Sequence, residues 1–229
     1  FVLVAGANHI ERFFRIEWQK VETGQLIVAV DTLTEWEKWT PFSRITVQNY
    51  IDSAFGWGTS NIFPEEFPDY KVGQKNLIID AAAATIITMR GRPIEELHHL
   101  RYDITNLAHF LVPDARVAVI GVGGGRDLLS ALHFKQKEVW GIEINERILE
   151  AITVPYRDFT YPFADFPQVH LVHDEARSFI ERTDLQFDII QASLIDSWAA
   201  TASGAFVLTE NSLYTVEGWQ AFLSKLTDR

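Results

Sequence analysis

Three glycines and one glutamate are the residues of this sequence best suited to hold a small ligand. Gly121, Gly123 and Gly125 directly follow the apolar run VAVI in the spacing G-x-G-x-G. Glycine has no Cβ and tolerates positive φ, so the chain can turn tightly there and lie against a ligand. Glu143 ends the next apolar run, about 20 residues after the glycines, where a carboxylate can accept hydrogen bonds from both hydroxyls of a ribose.

The elements around these residues predict a strand, a bend, a helix and a second strand. Val117–Ile120 and Val139–Ile142 are short apolar runs, typical of strands that are buried on both faces. Asp127–Phe134 between them predicts a helix whose free N–H groups point toward the bend. The pattern favours a site for an adenosine-bearing cofactor over a plain turn, because three glycines cost backbone entropy that a plain turn does not require.

The glycine spacing and the glutamate narrow the choice of cofactor. Position 126 is Arg, so the spacing departs from the G-x-G-x-x-G of dinucleotide-binding loops. Glu143 would repel the 2′-phosphate of NADP, whereas NAD stays open. The G-x-G-x-G form is more typical of proteins that bind S-adenosylmethionine or decarboxylated S-adenosylmethionine.

Composition excludes several other kinds of protein. The 229 residues include 31 acidic and 20 basic residues, a net charge of −11, which disfavours a nucleic-acid partner. Negative charge suits cationic ligands such as amines, but it is also the ordinary solubility charge of a soluble protein. Cysteine is absent, which excludes disulfides, thiolate metal sites and a catalytic cysteine. The seven histidines form no metal-binding pattern, so we expect no metal.

The sequence predicts neither a membrane helix nor a signal peptide. No apolar run reaches the roughly 18 residues of a membrane helix, and the first residues form no basic n-region, so we expect no signal peptide. The chain starts FVLVAGA without an initiator Met, so we expect it to be part of a longer polypeptide. We predict a cytoplasmic location and leave open a full-length protein that is attached to the membrane through segments outside this sequence.

Two domains are predicted, with their boundary near residue 90. Residues 1–90 contain the short β-branched and aromatic runs FFRIEW, QLIVAVD, RITVQN, NLIID and ATIITM, which indicate a small β-rich domain. Residues 56–74 predict a long irregular loop within it. Residues 91–229 indicate a Rossmann-like, methyltransferase-type α/β domain. Its first element is predicted to be a linking helix over Ile94–Leu111, where leucines and isoleucines recur at three- and four-residue steps.

From Arg116 onward, strands and helices alternate, which is the mark of a doubly wound parallel sheet. The usual strand order puts the glycine strand in the middle, where ligands bind. Such sheets normally continue beyond a fourth strand, so we infer that the polypeptide is longer or that another chain completes the sheet. The later predicted strands are Val169–Val172 and Asp188–Ala192, and the later helices are Asn145–Ile152, Ala176–Arg182 and Val216–Leu226.

The remaining candidate site residues follow the ends of these strands, because ligands bind beyond the carboxyl ends of parallel strands. Asp127 follows the glycines, and Asp174 and Glu175 follow the third strand. Asp174 is placed to contact an adenine amino group, to cap the next helix, or both. Ser193 and Asp196 follow the fourth strand. Asp196 is placed nearest to a transferred group, or else is a cap or a loop acid.

Two further segments are candidates for the walls of the cleft. WAATASGAFVLTENSLYT, directly after Ser197, is long and rich in small residues, which favours a lid over an ordinary connection. Tyr102 and Asp103 lie on the predicted linking helix, where they border the cleft or merely pack the helix against the sheet.

Several short sequence phrases, spread over nearly the whole chain, together resemble those of the spermidine synthase family, the polyamine aminopropyltransferases. TPFSRI is similar to the family's SPYQRI, LIID to LxLDG, IGVGGG to IGGGDG, IEIN to VEID, and HDEA to a GD pair before a helix. SLIDSWAATASGAFVLTENSLY takes the place of DSSDPxGP and LFTxEFY. The sequence is similar to a branch of synthases that are often fused to membrane segments.

The resemblance implies transfer of an aminopropyl group from decarboxylated S-adenosylmethionine to a small amine, and a homodimer. Two acids of the family are replaced: the Asp of the glycine loop falls at Gly124, and the first Asp of DSSD, the family's proton acceptor, falls at Ser193. The second Asp of DSSD is kept as Asp196, and Tyr102–Asp103 is near the family's YHE phrase. A buried ammonium without a partner costs several kcal/mol, so polyamine binding should weaken unless other acids compensate. Asp127, Glu210 and Asp103 are the candidates for such compensation.

Three functions therefore stay open on the sequence alone. The first is an amine-alkylating transferase with Asp196, Ser193 and Tyr102 as candidate catalytic residues. The second is an S-adenosylmethionine-dependent methyltransferase, in which Arg126 pairs with the carboxylate of the intact cofactor. The third is a module without catalysis that binds a nucleoside or a partner chain, because one fold supports all three.

Overall fold

The first half of the described chain forms an antiparallel sheet of four strands. In the computed structural model, these are β1 (Thr34–Trp39), β2 (Arg44–Asp52), β3 (Gly73–Ile79) and β4 (Ala83–Thr88), paired in chain order. The structure describes residues 34–40, 43–52, 54, 56–79, 83–195 and 212–229. The predicted runs RITVQN, NLIID and ATIITM fall on β2 to β4, whereas FFRIEW and QLIVAVD lie outside the described residues.

Strand β1 was not predicted from the sequence. Its residues TEWEKW include three charged side chains and no run of β-branched residues. Pairing with β2 nevertheless gives it a complete set of partners from Trp36–Val47 to Trp39–Arg44. The strand is therefore specified by its neighbour rather than by its own composition.

The region predicted as an irregular loop, residues 56–74, contains one short helix, α1 (Ile62–Glu66). Phe63 on this helix is buried and stacks on Phe67, with ring centroids 5.2 Å apart. Tyr70 and Tyr102 pack against the same rings. An aromatic cluster thus orders a segment whose prolines and glycines predict no regular structure.

The predicted linking helix over Ile94–Leu111 was wrong as a continuous helix. The segment consists of three short 3-10 turns, Ile94–Glu96, His98–Tyr102 and Ile104–Asn106, followed by one helical turn, α2 (Leu107–Leu111). Asp103 interrupts it with an extended backbone, φ −101° and ψ 122°. Three of the apolar side chains behind the prediction are exposed, whereas the polar side chains of His99, Asn106 and His109 are buried. The exposed residues are Ile104, Leu107 and Leu111.

The second half of the described chain alternates strands and helices, as the sequence predicts. The strands are β5 (Arg116–Ile120), β6 (Glu138–Glu143), β7 (Val169–His173) and β8 (Ile189–Gln191), all parallel, in the order β7-β6-β5-β8. The helices are α3 (Arg126–His133), α4 (Glu146–Thr153), α5 (Ala176–Arg182) and α6 (Val216–Ser224). The glycine strand β5 lies between β6 and β8, so the bend that follows it opens at the middle of the sheet.

Helices cover both faces of this parallel sheet. Val117 and Val119 point into one core, together with α3 and α4, and Ala118 and Ile120 point into a second core with α5 and α6. This alternation follows from the two-residue period of a strand. The sheet is therefore doubly wound, a mixed α/β arrangement of the Rossmann-like kind.

The two sheets share one continuous core. Ile45, Leu77 and Ile87 of the antiparallel sheet are buried in the same cluster as Leu128 and Ile148 of the helices α3 and α4. Thr34–Arg229 forms one compact unit. The boundary proposed near residue 90 remains a prediction; it falls between the last strand of the first sheet and the first strand of the second.

Candidate functional site

The bend after β5 has the left-handed backbone that glycine allows. Gly121, Gly123 and Gly125 have φ values of 76°, 52° and 86°. At Gly125, an added Cβ would lie 2.4 Å from the ring of Phe163, so both the backbone conformation and the space require glycine. The spacing of the glycines thus matches the three positions at which the bend has a positive φ.

Gly124 requires glycine for a different reason, which is close contact with another strand. A Cβ at this position would lie 2.1 Å from the carbonyl oxygen of Ile86 on β4. The Gly124 N–H donates to the Thr85 hydroxyl of the same strand, at 3.2 Å. The antiparallel sheet therefore fills the place that a side chain of residue 124 would occupy.

A cavity of about 720 Å³ opens at this bend, between the ends of the parallel strands and β4. Its volume falls within the range of roughly 300–1,000 Å³ found for small-molecule sites. Most of its wall is apolar, and the acidic and basic side chains among its described lining residues are three carboxylates and one guanidinium. Those lining residues are Arg126, Asp127, Glu143 and Glu175.

Glu143 lies directly below the bend, buried at 5% exposure. One carboxylate oxygen accepts from the N–H of Gly123 at 3.1 Å, and the other accepts from the N–H of Asn145 at 3.0 Å. Burial raises the pKa of Glu143, and these backbone N–H groups oppose that rise. The N–H groups of Ile144 and Val122 also hydrogen-bond this carboxylate. The carboxylate lines the cavity, so a ligand hydroxyl there would share its lone pairs with these backbone donors.

The antiparallel sheet fixes the strand end that carries Glu143. Asn145 donates its side-chain amide to the Ser43 hydroxyl, at 2.9 Å, and its amide oxygen caps α4 by accepting from the N–H of Arg147. Ser43 belongs to the TPFSRI phrase. In the sequence analysis, that phrase served only as part of the resemblance. In the structure, Ser43 supports the strand end through its hydrogen bond with Asn145.

Arg126 is the centre of a buried charge cluster next to the cavity. It donates to the Asp103 carboxylate and, at 3.0 Å, to the Asp127 carboxylate. The side chains of the three residues are 4%, 0% and 7% exposed, respectively. Two carboxylates therefore already neutralise the guanidinium that was considered as a partner for the carboxylate of intact S-adenosylmethionine.

Asp103 also ties a loop to this cluster. Its carboxylate accepts from the N–H groups of Gly58 and Thr105, at 3.2 and 3.0 Å. Burial raises the pKa of Asp103, but the Arg126 charge and these hydrogen bonds outweigh it and hold the pKa below its ordinary value. Trp57, next to Gly58, lines the cavity, so this carboxylate fastens a wall segment that sequence reasoning missed.

Ser193 lines the same cavity, at the end of the short strand β8. Its hydroxyl accepts from the side-chain amide of Gln191 at 3.1 Å and hydrogen-bonds Asp127. Asp196, Glu210 and most of the predicted lid lie outside the described residues. At the far end of that segment, Leu213 and Tyr214 line the cavity, and the Tyr214 hydroxyl donates to the carbonyl of Ile195 at 2.9 Å.

The two acids that follow β7 have different surroundings. Glu175 lines the cavity and caps α5, accepting from the N–H groups of Arg177 and Ser178 at 3.0 and 2.8 Å. Asp174 is bonded to Arg182 and is not part of the cavity wall. The cap expected from Asp174 is therefore supplied by its neighbour.

Tyr102 is not brought to the cavity. Its hydroxyl donates to Glu66 of α1, and its ring lies against Phe63 and Phe67. It lines a separate depression of about 400 Å³ together with Asp103 and Phe110. Tyr102 thus packs against the aromatic side chains of the α1 segment, whereas the alternative considered from the sequence was packing against the sheet.

The described ranges contain neither a metal-binding cluster nor a candidate membrane span. No group of three or more His, Asp or Glu side chains there is arranged to hold a metal ion. Among the same residues, no helix combines the length and the apolar character that a membrane span requires.

The fold and the bend define a class of protein: a mixed α/β chain with a parallel sheet and a ligand-sized cavity at the glycine bend. Solved spermidine synthases share this fold. One in complex with the transition state analogue AdoDATO matches with a TM-score of 0.51 at 19% identity, over 85% of this chain and 53% of that chain. The enzyme from Thermotoga maritima matches with a TM-score of 0.53 at 18% identity, over 86% and 54%.

These matches show a spermidine synthase-like fold. The chain spans about half the length of the solved structures that it matches. No protein-family model and no curated protein matches the sequence. Identity below one fifth leaves activity to be argued from the site itself.

Proposed function

We propose that this chain is a transferase that binds an S-adenosylmethionine-type cofactor at the glycine bend and alkylates a small amine. The observation that carries the proposal is the position of Glu143. Its buried carboxylate lies against the N–H of Gly123 and lines a cavity of ligand size. A nucleoside placed there would meet a hydrogen-bond acceptor for its ribose and a bend in which four of the five residues 121–125 are glycine.

The decarboxylated form of the cofactor fits the charges of the cavity better than the intact form. Intact S-adenosylmethionine carries a carboxylate, which needs a cationic partner when buried. Arg126 is the cationic side chain among the lining residues that the structure describes, and it is already paired with Asp103 and Asp127. This observation favours aminopropyl transfer over methyl transfer.

The acidic wall also suits an amine as acceptor. Asp127, Glu143 and Glu175 line the cavity, so an ammonium would find carboxylates in place of those that the sequence lacks at positions 124 and 193. A sulfonium cofactor supplies an activated carbon, and a neutral amine attacks that carbon while the carbon–sulfur bond breaks and its electron pair goes to sulfur. The amine must lose a proton, which a nearby base has to accept.

Asp196 is the residue we propose for that base. We expect Asp196→Asn to lower turnover at least about tenfold, since a general base contributes that much or more. The measurement is the rate of 5′-methylthioadenosine release from decarboxylated S-adenosylmethionine with putrescine as acceptor. A rate equal to that of the unmodified chain would remove Asp196 from the mechanism.

Calorimetry separates the three functions. We expect the chain to bind 5′-methylthioadenosine, and to bind decarboxylated S-adenosylmethionine more tightly than the intact cofactor. A preference for the intact cofactor would favour methyl transfer. Binding of 5′-methylthioadenosine without turnover of either cofactor would favour the module without catalysis, and binding of none of them would contradict the proposal.

Replacing the glutamate tests the site directly. We expect Glu143→Gln to weaken 5′-methylthioadenosine binding by roughly 1–3 kcal/mol, about 5- to 150-fold in Kd, because charge-assisted hydrogen bonds to the ribose are lost. Titration calorimetry measures the change. Glu146→Gln, an exposed acid three residues along, is the matched control and should leave Kd unchanged. Equal affinities for the two variants would show that the ribose is not held by Glu143.

A further inference from the structure

A row of buried polar side chains runs from the core to the cavity. Gln136 contacts His109 (3.1 Å), His109 contacts Gln191 (2.8 Å), and Gln191 contacts Ser193 (3.1 Å). Gln136, His109 and Gln191 are each at most 8% exposed. Each amide side chain, and a neutral histidine ring, has a donor at one end and an acceptor at the other. Once donor and acceptor are known at one contact of the row, they are therefore known at the next contact as well.

Gln136 determines which groups of the row donate and which accept. Its amide oxygen accepts from the backbone N–H of Ala115 at 2.7 Å, and a backbone N–H can only donate. The amide nitrogen of Gln136 therefore faces the carbonyl of Val112 and the Nδ1 atom of His109, both at 3.1 Å. This nitrogen carries only donors, so Nδ1 of His109 must be the acceptor.

His109 is consequently neutral, with its proton on Nε2. Burial lowers the pKa of His109, which agrees with an uncharged ring. The Nε2–H donates to the amide oxygen of Gln191. The amide nitrogen of Gln191 then faces the Thr105 carbonyl at 3.4 Å and the Ser193 hydroxyl.

Ser193 thus accepts from Gln191 and must donate its own proton elsewhere. The Asp127 carboxylate is its hydrogen-bond partner at the cavity. Asp127 also accepts from Arg126, and a carboxylate has about four lone-pair sites, so acceptor capacity toward the cavity remains.

We propose that Asp127 binds the cationic group of the ligand, and that the row Gln136–His109–Gln191 is a positioning device that keeps Ser193 a donor to this carboxylate. The proposal rests on the proposed function for the nature of the ligand. Ser193 then has no role as a proton acceptor, although it stands where the resembling family has one. Together with Arg126, the row stabilises the charged form of a buried acid.

The groups that face Asp127 act on its pKa in both directions. Burial raises the pKa of Asp127 above its ordinary value and outweighs Arg126 and Ser193, which lower it, while Asp103 raises it as well. Loss of the Ser193 hydroxyl should therefore raise the pKa of Asp127 further and move the pH at which a cation binds to higher values. A merely structural role of Ser193 would leave that pH unchanged.

Two probes that share adenosine separate this inference from the proposed function. In Asp127→Asn, we expect the affinity for decarboxylated S-adenosylmethionine to fall at least about tenfold, as for a lost hydrogen bond to a charged group, and the affinity for uncharged 5′-methylthioadenosine to change less than about twofold. Equal losses for both probes, or no loss for either, would overturn the role of Asp127. Failure of the unmodified chain to bind either probe would instead reject the proposed function.

The row is tested at its two ends. Ser193→Ala should shift the pH midpoint of cation binding upward, and Ser193→Thr should restore it, because threonine keeps the hydroxyl.

Nitrogen NMR of the unmodified chain with labelled histidine should show His109 protonated only on Nε2, with its signals assigned by their loss in His109→Gln. An unshifted midpoint, or a proton on Nδ1, would overturn the positioning role.

Discussion

Gly124→Asp is expected to lower the free energy of unfolding by about 3 kcal/mol or more, at the upper end of what overpacking a core costs. A Cβ at this position would lie 2.1 Å from the Ile86 carbonyl oxygen and 2.8 Å from the Ile87 nitrogen. Both are backbone atoms of β4, which cannot turn aside as a flexible side chain can. The aspartate would also bring a carboxylate against a carbonyl oxygen, so its charge adds repulsion to the steric conflict.

Urea unfolding followed by tryptophan fluorescence measures this change. Gly91→Ala is the matched control, because its added Cβ meets only the end of the Met89 side chain at an ordinary 3.5 Å. We expect the control to change stability by less than about 1 kcal/mol, as is usual for surface positions. If Gly124→Asp has the same free energy of unfolding as the unmodified chain, the close contact between residue 124 and the backbone of β4 is ruled out.

This result bears on the activity as well. An acid of the glycine loop in the resembling family falls at position 124, and restoring it here is expected to damage the bend rather than complete an amine pocket. Any carboxylates that bind an amine must come from other positions. Asp127 and Glu175 are available in the described cavity wall.

Arg126→Met is expected to cost about 3–5 kcal/mol of stability, the usual effect of removing one partner from a buried ion pair. Methionine keeps much of the side-chain volume, so the loss measures charge rather than a cavity. It leaves Asp103 and Asp127 buried next to each other without their shared cation. Urea unfolding at pH 7 gives the magnitude.

The pH dependence identifies the cause of this loss. Arg126 lowers the pKa of both carboxyl groups, so without it both pKa values move upward. A raised folded-state pKa favours folding as pH falls, because protonation removes the buried charge. The deficit relative to the unmodified chain should therefore be largest at pH 7 and shrink toward about pH 5, above the ordinary Asp pKa of about 3.9.

Arg157→Met is the matched control for this prediction. Arg157 pairs with Asp165 at 2.5 Å, but the two side chains are 49% and 53% exposed. Exposed pairs contribute about 0–1 kcal/mol, so this variant should remain close to wild type at both pH values. A deficit of Arg126→Met that stays constant with pH would point to lost packing instead of unpaired carboxylates.

The bend and its glutamate were predictable because the signal is local. A short apolar run, a glycine spacing and an acid at the end of the next strand all lie within Val117–Glu143. Parallel strands at the centre of a sheet are buried on both faces, so their sequences are apolar and easily recognised. Gly121, Gly123 and Gly125 have the positive φ values that this reasoning requires.

The linking segment shows where local periodicity misleads. Its apolar steps favoured a helix over Ile94–Leu111, but Asp103 bonds to Gly58 and Arg126, far away in sequence. Those contacts hold Asp103 in an extended conformation and divide the segment into short turns. Tertiary hydrogen bonds and a buried ion pair outweigh a helix propensity worth a few tenths of a kcal/mol per residue.

The sequence by itself determined the doubly wound sheet, the glycine bend and the acid below it, because strand and helix periods and glycine conformation act between near neighbours. Only the tertiary structure decided that position 124 has no room for a side chain, that Arg126 is already neutralised, and that Ser193 accepts a hydrogen bond from Gln191. Each of these depends on a partner, respectively Ile86, Asp103 and Gln191, whose distance and hydrogen-bonding direction follow from packing. No local pattern of residues encodes such a distance.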